Sequence, residues 1–216
     1  MYDIEVLLAG PFRTGKRCAA TWLKNQNSHF NIYTTSGGAV AAKEAFPMAS
    51  IIVDDYNGMN YHNSRKMFER WKKFTEMNRF SDNQQVCVSR PDLIVYTPLQ
   101  DIIDKFCSDG RPAFMVIDEL KFGNDVLFFC TFGTLKRLIQ GYTDWVNKTD
   151  LEETSFAPHE YLYYFAKQEN SVNFSTPVVM CRPNVPIDLP LDDIETVYKY
   201  VMEWDNFILL YSKKDL

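Results

Sequence analysis

The chain has 216 residues, 46% of them hydrophobic and 24% charged, with 23 basic and 28 acidic side chains for a net charge of −5. This is the composition of a folded globule with room for one sizeable core. It excludes a disordered chain, and it argues against a protein that holds nucleic acid by neutralising phosphates. No apolar run approaches the roughly 18 residues of a membrane span, and the N-terminus lacks a basic segment followed by an apolar one. Neither a membrane segment nor a secretory signal is therefore expected.

In chain order, "DIEVLLA" (3–9) reads as a buried strand ending on Gly10. Residues 15–25 follow with Cys18, Ala19, Trp22 and Leu23 at helical spacing. "FNIYTTSGG" (30–38) is a second strand closed by two glycines, and "ASIIVDDYNG" (49–58) a third that turns at Asn57-Gly58. "SRKMFERWKKFTEM" (64–77) is the clearest amphipathic helix, with Met67, Phe68, Trp71 and Phe74 on one stripe and Ser64 as its cap. "PDLIVYT" (91–97) reads as a strand. The next helix has Thr97 as cap, Pro98 in its first turn, a stripe of Leu99, Ile102, Ile103 and Phe106, and Gly110 as its stop.

Residues 113–120 and 125–132 are two apolar runs, either a hairpin or two buried strands. Helices are expected at 134–147, 158–168 and 191–204, with a strand at "TPVVMC" (176–181). Residues 205–216 form a tail that could be an edge strand or an exchanged arm. Strands alternating with helices predict a single helix-rich α/β domain over 1–216, a largely parallel sheet flanked by helices, and not a jelly roll.

The segment "GPFRTGKR" (10–17) follows a strand and opens a helix, the context of a phosphate-binding loop. Gly10, Gly15 and Lys16 occupy the positions such a loop requires, and its amides with Lys16 could hold phosphate oxygens. Arg17 stands where the loop needs a hydroxyl for Mg²⁺, and a guanidinium cannot coordinate a cation. Asp118 and Glu119 end the strand "FMVIDEL" as an acid pair that could hold the metal. With "RPDLIVYTPLQDIIDKFCSDGRP" (90–112) and "VPIDLPLDDIETVYKYVMEW" (185–204), this pattern resembles the nucleoside and nucleotide kinases of the P-loop class. In that reading ATP and Mg²⁺ are the cofactors.

A second resemblance lies in "KMFERWKKFTEMNRFSDNQQV" (66–86) and "YKYVMEWDNFILLY" (198–211). These are similar to segments of polyhedrins, the occlusion-body matrix proteins of large insect DNA viruses, and a nudivirus-like lineage suits the helix content best. The resemblance implies a P-loop-like scaffold reused as a lattice brick. The protein would assemble with copies of itself around virions, inside the infected host cell (nucleus or cytoplasm) and then in the occlusion body. It needs no cofactor and no catalytic residues.

Aromatic residues make up 15% of the chain, and such side chains favour cores and protein interfaces. The five cysteines, Cys18, Cys87, Cys107, Cys130 and Cys181, form no C-x-x-C, and the three histidines add no metal-ligand spacing, so no metal site is expected. An odd count leaves at least one thiol without a partner in the chain, which makes all five candidates for bonds between chains. The lattice reading is preferred here because it accounts for Arg17, the odd cysteine count and the aromatic excess together.

Overall fold

The computed structural model describes residues 3–54, 63–149, 157–174, 176, 178–181, 193 and 195–197. Its elements run β1 (Ile4–Ala9), α1 (Gly15–Trp22), β2 (Ser28–Thr35), α2 (Ser36–Ala45), β3 (Ser50–Asp54), α3 (Asn63–Met77) and β4 (Gln85–Ser89). The chain continues through β5 (Leu93–Val95), α4 (Leu99–Phe106), β6 (Ala113–Ile117), β7 (Phe122–Thr131), α5 (Phe132–Thr149), α6 (Ala157–Gln168), β8 (Val172–Asn173) and β9 (Val178–Met180). A seven-stranded sheet has the order β3-β2-β1-β4-β7-β6-β8, and β5 pairs with β9 in a small sheet of its own. Strands β3, β2, β1 and β4 are mutually parallel, β7 is antiparallel to both β4 and β6, and β8 is parallel to β6. The expectation of an α/β fold with a mostly parallel sheet between helices therefore holds.

All six residues of β1 are buried, because helices cover the sheet on both faces, and the one charged residue among them, Glu5, accepts from Asn31 Nδ2 at 2.8 Å. Ile4, Val6 and Leu8 enter a cluster with Cys18, Ala19 and Trp22 of α1, Ala42 of α2 and Ile102 of α4. Leu7 and Ala9 enter the opposite cluster with Met67, Phe68, Trp71 and Phe74 of α3, Leu135 and Leu138 of α5 and Leu162 of α6. More of the buried aromatic side chains lie in this second layer than in the first. Phe68 stacks on Tyr142 with centroids 3.7 Å apart, and Trp71 meets Phe128 edge-on at 5.2 Å. The stripe read from residues 66–86 as a polyhedrin-like assembly segment is thus interior packing.

Four expectations are not met. Gly37 and Gly38 do not close a strand but lie in the first turn of α2. Helix propensity disfavours glycine there, yet a Cβ on Gly38 would sit 2.7 Å from both the Phe12 Cβ and the Thr34 Oγ1, so close packing overrides propensity. The central strand on the far side of β1 is "QVCVS", hidden behind the polar run "DNQQ", whereas "PDLIVYT" contributes only the short β5. Leu23, expected in the α1 stripe, is exposed. Helix α4 takes no side-chain cap from Thr97; its Leu99 N–H donates to Asn25 Oδ1 at 2.8 Å. Residues 113–117 and 122–131 form an antiparallel hairpin. The expected tail at 205–216 and most of the helix at 191–204 lie outside the described residues. Among the described residues no helix is long and apolar enough to cross a membrane.

This core sets an alkaline limit on stability. Burial, helped by Asp109, pushes the Cys107 thiol from 9.0 up to about 11. Burial pushes the Tyr33 hydroxyl from 10.0 up to about 12 against a hydrogen bond with Asn78, and burial raises Cys87 and Cys130 as well. The fold keeps these groups protonated while the unfolded chain ionises at the ordinary values, so the unfolded state binds fewer protons. Their contribution is complete below pH about 9 and is lost as pH rises toward about 12. Urea midpoints should fall steadily over that range. A midpoint that stays constant across it would contradict the assignment.

Candidate functional site

Strand β1 runs up to Ala9 and the chain then turns at Gly10, whose φ of 140° is strained for any side chain bearing a Cβ. The Gly10 N–H donates to the Tyr33 carbonyl at 2.9 Å, so the turn stays seated on β2. Arg13 is exposed at its crest. The Thr14 hydroxyl donates to the Cys181 carbonyl at 2.5 Å.

Beside β1, strand β4 ends at Ser89, whose hydroxyl donates to the Val126 carbonyl on β7 at 2.7 Å. Residues 90–93 then make a β-turn, with the Leu93 N–H 3.4 Å from the Arg90 carbonyl and Pro91 at the position that favours a fixed φ. Within the turn, Arg90 Nε and Nη2 donate to Asp92 Oδ1 and Oδ2 at 3.0 and 2.9 Å. The Cys181 N–H donates to the Asp92 carbonyl at 2.7 Å, which ties the turn to the end of β9. Burial alone would lower the Arg90 ionisation, but the hydrogen bond to Asp92 and the charges of Asp92 and Asp125 outweigh it and hold the guanidinium above its ordinary value.

The third wall is α3, fastened over the sheet by a buried bidentate pair. Arg70 Nε and Nη2 donate to Asp54 Oδ2 and Oδ1 at 2.6 and 2.7 Å, with 4% and 1% of the two side chains exposed. Asp54 is the last residue of β3, so the pair joins the sheet's C-terminal edge to the helix above it.

These three segments enclose a cleft of about 150 Å³ lined by four basic side chains, Arg13, Lys66, Arg70 and Arg90, and one carboxylate, Asp92. In a chain of net charge −5 this is a local reversal of sign. The cleft lies outside the carboxyl ends of β1 and β4. The chain leaves β1 toward β2 on one side and returns as β4 on the other, and open α/β sheets bind ligands at such a switch point.

The expected phosphate loop lies close by but does not form. The Phe12 ring fills its hollow: a Cβ on Gly15 would be 2.6 Å from Phe12 Cε2. The Phe12 N–H is committed to Thr34 Oγ1 at 3.2 Å. Lys16 pairs at 2.9 Å with Glu44 on the surface between α1 and α2, both side chains more than half exposed. Arg17 is half-buried in α1, where its charge acts on the Cys18–Cys181 pair. Asp118 binds Lys167 at 2.7 Å, and Glu119 is exposed. Strands β4 and β7 stand between β1 and β6, which puts the Asp118 end of the sheet about 14 Å from the β1 loop. The sequence motif therefore brings together no Mg²⁺–phosphate site.

All five cysteines are free and buried. Cys18 and Cys181 share a hydrogen bond that, with Arg17 and Thr14, holds Cys181 down at about 7 against its burial; the same bond and burial push Cys18 up.

Sequence reasoning missed Arg13, Lys66, Arg70, Arg90, Asp92 and the role of Asp54. The available signal was "SRPD" directly after a short apolar run: read as the end of a strand instead of the prelude to one, it puts Arg90 and Asp92 at a carboxyl edge.

No protein-family model and no curated protein matches the sequence. Among solved structures, galactosyltransferase LgtC in complex with donor and acceptor sugar analogues matches with a TM-score of 0.53 at 10% identity, over 79% of this chain and 73% of that one. An active-site mutant of LgtC gives 0.53 at 11% identity, over 74% and 70% of the two chains. The apo form of glycosyltransferase GlyE of Streptococcus pneumoniae TIGR4 gives 0.52 at 13% identity, over 79% of this chain and 44% of that one. These likenesses overturn both resemblances read from the sequence. The scaffold is not that of a P-loop kinase, and the occlusion-body reading, with its self-assembling lattice, falls with the polyhedrin likeness. The chain shares with these neighbours, which are Rossmann-like folds of the GT-A type, a mixed α/β architecture with a mostly parallel central sheet flanked by helices.

Proposed function

We propose that the protein is a glycosyltransferase whose donor is an activated sugar with a nucleoside diphosphate as leaving group. One observation carries this reading: four cations converge on a small cleft at the β1/β4 switch point of a sugar-transferase fold. When the bond from sugar to diphosphate breaks, negative charge grows on the leaving oxygens. Fixed cations aimed at them stabilise that charge without reorganising. Arg90, oriented by Asp92, is the best-placed of these groups, and Arg70, oriented by Asp54, closes the α3 side. Arg13 and Lys66 complete the clamp. The cleft's volume suits a diphosphate, so the nucleoside and the sugar extend beyond it.

The test is calorimetric titration of the full chain with UDP and GDP, followed by assays of sugar transfer and donor hydrolysis. Arg90→Met should weaken binding about 10- to 100-fold, the worth of a charge-assisted contact. Lys16→Ala should leave binding unchanged, since Lys16 faces Glu44. A protein with no affinity for any nucleoside diphosphate at millimolar concentration would overturn the proposal.

A further inference from the structure

The charge balance of the cleft bears on how the donor is held. A divalent cation that bridges a diphosphate to a protein is usually held by one or two carboxylates. Here both oxygens of Asp92 accept from Arg90, and both oxygens of Asp54 accept from Arg70. Among the described residues Asp125, on β7, also acts on Arg90, and it is buried. Among the described residues no three His, Cys, Asp or Glu side chains come together in a way that could hold a metal ion. A dication entering the cleft would also meet the fields of Arg13, Lys66, Arg70 and Arg90.

The same groups suit an anion. Arg13 and Lys66 make no ion pair or hydrogen bond among the described residues. Arg90 has five N–H donors and gives two hydrogen bonds to Asp92, which fixes the plane of the guanidinium where it lines the cleft. A planar fork held in this way matches two phosphate oxygens, as a hydrated ammonium does not.

We infer that the cleft binds the diphosphate of its donor without a divalent cation, Arg90 neutralising the charge and Asp92 serving as its positioning residue. The inference rests on the proposed function and adds to it the means by which the leaving group is stabilised. Asp92 thereby has an effect opposite to that of its charge. By field alone it opposes an anion, yet its removal would free the Arg90 fork and weaken binding.

The experiment titrates the wild-type full chain with UDP and GDP in EDTA, then in Mg²⁺, then in Mn²⁺. The dissociation constant should agree within about twofold across the three buffers, and it should weaken with added salt as screened ion pairs do. Binding that appears only with metal, or tightens about tenfold or more with it, would overturn the inference and leave the glycosyltransferase reading standing. Absence of binding in every buffer would overturn the reading itself, and the inference with it. Asp92→Asn, checked for folding by its thermal midpoint, supplies the positioning readout: weaker binding supports the role, and tighter binding refutes it. Arg90→Lys keeps the charge and loses the fork, so wild-type affinity in that variant would also count against it.

Discussion

Asp54→Ala is expected to lower stability by about 3–5 kcal/mol, because it leaves the buried Arg70 guanidinium without the carboxylate that takes two of its hydrogen bonds. Both side chains are almost wholly out of water, so the cost is the desolvated charge left behind as well as the lost contact. Replacing the pair together, as Asp54→Leu with Arg70→Met, should recover most of that loss, since two apolar side chains leave no charge uncompensated. Urea denaturation followed by tryptophan fluorescence would check both, with the buried Trp22 and Trp71 as reporters. A single-variant loss below about 1 kcal/mol would mean that water reaches the pair and that it does not anchor α3. The double variant separates structure from function as well: it should fold and yet bind nucleoside diphosphates more weakly, having lost one wall of the cleft.

Phe12→Ala should cost a comparable 3–5 kcal/mol or so, the range for removing a buried aromatic ring from a site that cannot collapse. The ring is 5% exposed, stands edge-on to Phe46 at 6.2 Å, and fills the hollow beside Gly15. Gly15 supplies a sharper check. Gly15→Ala alone should destabilise, because its new methyl meets the ring at 2.6 Å and the ring is buried against Phe46. Added to Phe12→Ala, the same substitution should be neutral or stabilising, because the methyl enters vacated space and alanine favours the first turn of α1. Simple additivity in this cycle would show that Phe12 does not occupy the loop's hollow. Lys16→Ala is expected to change stability by no more than about 0.5 kcal/mol, since both members of its ion pair are exposed.

These outcomes bear on why the phosphate-loop motif misled. The spacing of Gly10, Gly15 and Lys16 is a local pattern, but an anion hollow is a volume. Whether that volume is open depends on the rotamer of Phe12, and hence on α2, whose Gly38 makes room for the Phe12 Cβ. Arg17 and Asp118 point the same way: the first acts on a thiol pair, and the second pairs with Lys167 on another part of the sheet edge. The polyhedrin likeness failed for a related reason. Met67, Phe68, Trp71 and Phe74 do form the expected stripe, but a stripe does not say what it packs against, and here it packs on β1.

The sequence by itself determined the alternation of strands and helices, the doubly buried β1, the stripes of α3 and α4, and the α/β class. Each follows from hydrophobic periodicity, which a single element carries within its own few turns. It did not reveal β4 or α2, whose identities depend on neighbours: "QVCVS" is a strand because β1 and β7 pair with it, and Gly38 stands in α2 because Phe12 and Thr34 leave no room there for a Cβ. Only the tertiary structure decided the strand order. Placing β4 beside β1 is a long-range choice, made by burying both faces of the sheet at once. That choice alone brings residues 13, 66, 70 and 90, scattered along the chain, around one cleft.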